Sequence, residues 1–139
     1  LIIAGKASDK YINKLREINN SENITFLGYA ESSIFFKSID VLIAPSIWNE
    51  PFGRVVIESI FNNTPIIGSL RGGITELLSN NPTFIIEPTV KHLSEMLKKI
   101  INNSEFLDTF IFDERFNNKF QIREIAKKYL SIFKILISK

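Results

Sequence analysis

As far as Pro88, short apolar runs alternate with stretches of helical spacing, and this pattern predicts a series of βα units. Leu1 to Gly5 reads as a buried strand closed by glycine, and Ser8 to Asn19 follows with Tyr11, Ile12, Leu15 and Ile18 on one helical stripe. Asn23 to Leu27 is a second strand ending at Gly28, with a short helix over Ser32 to Ser38 carrying Ile34, Phe35 and Phe36. The third strand, Ile39 to Ala44, stops at Pro45, which has no N–H for a sheet. A helix then runs to about Asn62, with Val55, Val56, Ile60 and Phe61 for its buried side, and Asn62-Asn63 ends it in the left-handed conformation asparagine tolerates. Pro65 to Gly68 is a fourth strand, Gly72-Gly73 opens a helix through Leu78, and Thr83 to Ile86 is a fifth strand.

Beyond Pro88 the pattern is helical only: Val90 to Ile101 with Leu93, Met96, Leu97 and Ile100 on one side, then Glu105 to about Phe112. From about Asn118 to the end, Ile122, Ile125, Ala126, Tyr129, Phe133 and Leu136 repeat at helical spacing, with Arg123, Lys127, Lys128 and Lys134 elsewhere around the helix. The asparagine pairs, Asn80-Asn81, Asn102-Asn103 and Asn117-Asn118 among them, read as turns. The fold class is therefore α/β, a Rossmann-like parallel sheet flanked by helices. All six glycines lie between Gly5 and Gly73, each read at a strand end or helix start, so they share one sheet edge. Ligands of open α/β sheets bind at that edge.

The candidate chemistry sits in Pro45-Ser46-Ile47-Trp48-Asn49-Glu50-Pro51-Phe52-Gly53-Arg54-Val55-Val56-Ile57-Glu58. Pro51 suits a helix entrance, and Gly53 admits a ligand to backbone N–H groups that have no partner within the helix. Such a terminus attracts phosphate. Glu50 before the helix and Glu58 in its second turn could accept hydroxyls on either side of a bound diphosphate, as a sugar and a ribose would present them. Spacing alone favours Glu50 as a first-turn acid stabilised by the helix dipole and Glu58 as a solvated helix residue. Arg54 reads as either solvent-facing or a phosphate ligand, and Trp48 as a core residue, the commoner outcome for a large aromatic, or as one lining the sugar site. Glu76 reads as stabilising the Gly72-Gly73 turn or its helix, with a donor contact as the lesser reading, and His92, without a second histidine or any cysteine, as a surface residue.

Composition narrows the classes. The 139 residues, 45% hydrophobic and 23% charged, suit one globular domain. A net charge of +2 spread along the chain argues against a nucleic-acid partner. Absence of cysteine excludes disulfides and thiol catalysis and fits a cytoplasmic protein. No apolar run approaches the roughly 18 residues of a membrane span, and there is no signal-peptide pattern, so a soluble protein is expected. The opening directly in an apolar run without methionine suggests a piece of a longer protein.

These residues carry a likeness. The chain resembles, over nearly its whole length, the C-terminal domain of the retaining glycosyltransferases of family 4, which have the two-Rossmann-domain GT-B fold. Glu50 and Glu58 match that family's E-x7-E pair, Leu1 to Gly5 its glycine-ended strand, and Ile24-Thr25-Phe26-Leu27-Gly28 its "V-x-F-L-G" segment. Pro65-Ile66-Ile67 resembles the "P-V-I" strand, Gly72-Gly73-Ile74-Thr75-Glu76 the "G-G-x-x-E" turn, and Phe120 to Leu130 the helix that returns toward the N-terminal domain. Two positions depart: Ser59 stands where the family usually has alanine and Asn63 where it has glycine. Ser59 is expected to bond back into its own helix, and Asn63 to take the left-handed stop.

The resemblance implies transfer of a sugar from a nucleoside-diphosphate sugar to a glycan or lipid-linked acceptor, with retained configuration and no required metal or other cofactor. It implies that Glu50 meets the donor sugar as the catalytic carboxylate and Glu58 the ribose. The backbone at Phe52, Gly53, Arg54 and Val55 would hold sugar and diphosphate, Gly28 and Tyr29 would lie by the base, and Gly5 would belong to the same donor-binding edge. It further implies that residues 1 to 139 are a donor-binding domain lacking the acceptor domain, an upstream strand and the upstream diphosphate-binding Arg and Lys, and are inactive alone. The lysines of the terminal helix form a solvated face or touch the inner face of a membrane. A nucleotide-sugar epimerase of the same architecture and a noncatalytic nucleotide-binding module are the alternatives.

Overall fold

The computed structural model of the protein describes residues 1–18, 21–113, 116 and 120–137. The apolar runs become strands β1 (Ile2–Ala4), β2 (Thr25–Gly28), β3 (Leu42–Ala44), β4 (Ile66–Ser69) and β5 (Ile85–Ile86). Between and after them lie helices α1 (Asp9–Ile18), α2 (Ser32–Phe36), α3 (Arg54–Phe61), α4 (Gly72–Leu77), α5 (Val90–Asn102) and α6 (Ile122–Ile137). Each strand pairing is parallel, as the βα alternation requires: β1 with β2, β3 with β4, and β4 with β5. Gly68 lies inside β4, not at a strand end as expected from the glycine pattern.

The strands fall into two groups, β1-β2 and β3-β4-β5. The second group carries the core. Ile66 and Ile67 of β4 are fully buried with Val56 of α3, Ile74 of α4, Leu78 and Phe84. Phe84 stacks on Phe106 at 4.8 Å and meets the edge of Phe110 at 5.0 Å, which joins the C-terminal segment to the sheet. Asn81 fastens that segment further: its amide donates to the Ile111 carbonyl at 3.0 Å and accepts the Ile111 N–H at 2.7 Å.

The first group departs from expectation. β1 is not buried; Ile2 is 38% and Ile3 36% exposed. Its carbonyl at Leu1 accepts from Thr25 and its N–H at Gly5 donates to Gly28, so residues 1, 3 and 5 face β2. Ile2 and Ala4, by strand alternation, turn their backbone groups to the other side. On β3, Leu42 donates to the carbonyl of Pro65, the residue before β4, so Val41 and Ile43 likewise face away from β4. Between these two edges lies an apolar cavity of about 980 Å3, lined by Ile2, Ala4, Val41, Ile43 and, from α5, Leu97 and Ile100.

Two helical expectations change in detail. The segment expected as a helix from Glu105 to Phe112 is a 3-10 helix over Ser104–Thr109. Its N–H groups reach back three residues, as Phe106 does to Asn103, while the Thr109 hydroxyl donates to the Phe106 carbonyl at 2.7 Å and competes with a further α-helical turn. The terminal helix α6 forms where its spacing predicts, with no buried residue, although its expected start at Asn118, the Asn117-Asn118 turn and Asn19 of the first helix lie outside the described residues.

Candidate functional site

β3 delivers the chain to Pro45, and a loop through Gly53 leads into α3. Gly53 is the residue before the helix, at φ 70° and ψ 52°, a left-handed conformation that glycine adopts without strain. A Cβ there would also press on Ile74 and Leu77 of α4 at 3.3 Å. The Gly53 carbonyl accepts from Val56 at 2.9 Å, so the N–H groups of Gly53, Arg54 and Val55 precede the helical ladder, and among the described residues no side chain caps them. Phe52, half exposed, is held from the side by Phe120 at 5.8 Å between ring centroids.

Glu50 is fixed through its main chain. Its carbonyl accepts the N–H of Gly73 at 2.6 Å. A Cβ at Gly72 would overlap the Glu50 carbonyl oxygen, and one at Gly73 would sit 2.9 Å from the Pro51 oxygen. The Gly72-Gly73 pair is thus required by backbone packing of α4 against the loop. The Glu50 carboxylate accepts from the Trp48 indole Nε1 at 2.8 Å. Trp48 itself is 62% exposed, which overturns the core reading of the two it had. Its N–H has a partner on the loop, so the ring stays outside with one polar end satisfied.

Glu58 lies one turn along α3 from Arg54, about 6 Å in axial rise. Each of its carboxylate oxygens has a donor: Arg54 Nε at 3.0 Å on Oε1 and Ser32 Oγ at 3.1 Å on Oε2. The Arg54 side chain is 85% exposed and the Glu58 side chain 33%. Arg54 is thus solvent-facing, as one of its two readings has it, and its ion-pair partner is a carboxylate of its own helix. The far end of α3 closes differently from expectation. Ser59 Oγ, fully buried, donates to the Thr64 carbonyl at 2.8 Å beyond the helix and not back into its own turn. The Asn63 φ of 54° gives the left-handed stop the sequence leads one to expect.

At the ends of β1 and β2, the Gly5 N–H donates to the Gly28 carbonyl at 2.7 Å. A Cβ at either glycine would meet nothing within 4 Å, so this part of the edge is open. Tyr29 beside it is 74% exposed, with the Lys6 ammonium 5.2 Å from its ring centroid. Sequence reasoning singled out neither Lys6 nor Ser32. Lys6 directly follows a glycine-ended strand, a usable signal, whereas the Ser32–Glu58 contact spans 26 positions and leaves no local mark. His92 is exposed in the first turn of α5, its Nδ1 2.9 Å from the capping Thr89 hydroxyl. Among the described residues no group of His, Cys, Asp or Glu could hold a metal ion, and no helix is long and apolar enough to cross a membrane.

A 42.6 kDa uncharacterized protein of the cps region of Klebsiella pneumoniae is 29% identical over 133 residues, 95% of this chain and 33% of that protein. A Rickettsia africae glycosyltransferase structure superposes with a TM-score of 0.81 at 26% identity, over 98% of this chain and 39% of that one. Anabaena HepE in complex with UDP-glucose has the same fold, with a TM-score of 0.81 at 21% identity over 96% of this chain and 40% of HepE. The chain thus spans well under half the length of these proteins. Residues 1–116 match the family described as Glycosyl transferases group 1, and the chain belongs to that family.

Proposed function

We propose that this chain is the donor-binding domain of a retaining, family-4 glycosyltransferase that moves a sugar from a nucleoside diphosphate to a glycan or lipid-linked acceptor. The observation that carries the reading is the arrangement around α3: an uncapped helix start at left-handed Gly53, Glu50 fixed before it and Glu58 one turn inside it. The base lies by Gly28 and Tyr29 near Gly5, the ribose hydroxyls donate to Glu58, and the N–H groups from Phe52 to Val55 face the diphosphate and sugar. Glu50 meets the sugar's hydroxyls and stabilises the positive charge that develops as the anomeric carbon–oxygen bond to the diphosphate breaks. The leaving diphosphate gains negative charge in that step, and the helix start stabilises part of it without a required metal.

The remainder of the polypeptide, on this reading, supplies the acceptor wall, further cationic side chains for the diphosphate, and a parallel strand between β1 and β3. Support for the strand comes from the unpaired edges at Ile2 and Ala4 and at Val41 and Ile43, which face one apolar cavity. The test of function uses the longer protein with labelled nucleotide sugars and candidate acceptors. Acceptor-dependent transfer with the product's anomeric configuration matching the donor supports the reading. Conversion of the donor sugar without an acceptor would establish an epimerase instead, and binding without either reaction a noncatalytic module.

A further inference from the structure

Resting on the assignment of Glu58 to the ribose, we propose that Ser32 is the positioning residue that orients the Glu58 carboxylate and so sets discrimination between ribose and deoxyribose. The two donors on Glu58 are unlike. Arg54 belongs to the same helix, its side chain is 85% exposed, and an i,i+4 pair of this kind is weak and easily displaced. Ser32 has a short side chain with one rotatable angle before its oxygen, comes from another element, and bonds to Oε2 in a half-buried setting. Its hydroxyl donates to an ionisable acceptor, the stronger class of hydrogen bond.

The backbone beneath Ser32 is itself held. Ser32 opens α2, and Phe36 at the other end of that helix is 3% exposed in the core. The Phe36 carbonyl accepts from the Thr64 hydroxyl at 3.1 Å, and Thr64 is tied in both directions to Ser59 of α3. Both ends of α2 are therefore bridged to neighbouring residues of α3, Ser32 to Glu58 and Phe36 through Thr64 to Ser59. With Oε2 engaged by Ser32, Oε1 is the oxygen left to exchange an exposed guanidinium for a ribose hydroxyl. The loop that carries Tyr29 leads directly into Ser32, so contact with the base and orientation of the ribose acceptor share one short segment.

The experiment titrates UDP, GDP and ADP into the protein by calorimetry, selects the tightest, and compares it with its 2′-deoxy counterpart. Wild-type protein is expected to prefer the ribonucleotide about tenfold, the worth of one hydrogen bond to a carboxylate. Ser32→Ala should reduce that ratio to about two- or threefold while the melting temperature stays near wild type, and Ser32→Thr, which keeps the hydroxyl, should restore it. An unchanged ratio in Ser32→Ala beside a clear wild-type preference would overturn the role of Ser32 and leave the ribose assignment standing. No wild-type preference, or no binding by any of the nucleotides, would overturn both.

Discussion

The N–H of Gly73 donates to the carbonyl of Glu50 at 2.6 Å, so the loop bearing one candidate carboxylate rests on the start of the next helix along the sheet. That contact makes the double glycine a site determinant without any side chain of its own. Gly72 has a φ of +50° and a Cβ there would overlap the Glu50 oxygen. Gly72→Ala is expected to cost about 1–3 kcal/mol from strain and overlap together. Gly28→Ala provides the contrast, since it shares a positive φ but meets nothing within 4 Å. Thermal unfolding of both variants checks this, and equal losses would show that the contact with Glu50 does not matter to the fold.

The two carboxylates should separate in binding. Glu58→Ala is expected to weaken binding of a nucleoside diphosphate about tenfold or more, as loss of a hydrogen bond to a charged group predicts. Glu50→Ala should barely change affinity for that sugar-free ligand, because its proposed partner is the transferred sugar. Calorimetric titration of both variants decides the matter, and equal losses would reject the division of roles.

Much of this fold is legible in the sequence because burial on β4 and α3 leaves a clear period: Ile66 and Ile67 in an apolar run, Val56 and Ile60 at helical spacing. Stops were legible too, since Asn63 has few ways to end a helix. What escaped has physical causes. β1 reads as buried from Leu1, Ile2 and Ile3, but periodicity reports a side chain's preference and not the presence of a neighbour to cover it. Trp48 follows the same pattern in reverse: its size predicts burial, and a carboxylate two residues on gives its N–H a partner outside. The E-x7-E spacing locates Glu50 and Glu58, but the Ser32 contact joins positions 26 residues apart, a tertiary fact that local spacing does not encode.

Amide exchange tests the gap in the sheet. In the chain of 139 residues, the N–H groups of Ile2, Ala4, Val41 and Ile43 turn toward the cavity and should exchange quickly, while Gly5 and Leu42, bonded to Gly28 and Pro65, should be protected. In the longer polypeptide, a strand inserted between β1 and β3 is expected to slow the first four and leave the other two unchanged. Rapid exchange at all four in the longer protein would reject the inserted strand. A two-stranded β1-β2 pair is marginal by itself, so the same insertion should raise the melting temperature of the whole domain.

Binding and turnover should come apart in the isolated chain. It holds the uncapped start of α3, both carboxylates and the open edge at Gly5 and Gly28, so weak binding of a nucleoside diphosphate is expected. Transfer makes a different demand. The acceptor oxygen must be held about 3–3.5 Å from the anomeric carbon in a cleft closed to water, and that requires a second wall moving against this one. Trp48, Phe52 and Tyr29 stand 62%, 52% and 74% exposed beside the proposed donor site, so the described residues enclose no such cleft. The measurement compares the 139-residue chain with the longer protein, using calorimetry for nucleotide affinity and a labelled donor for transfer. The longer protein should bind more tightly and transfer, and the isolated chain should bind without transferring. Transfer at the longer protein's rate by the 139 residues alone would overturn the two-walled mechanism, because the acceptor would then be positioned by groups within this chain.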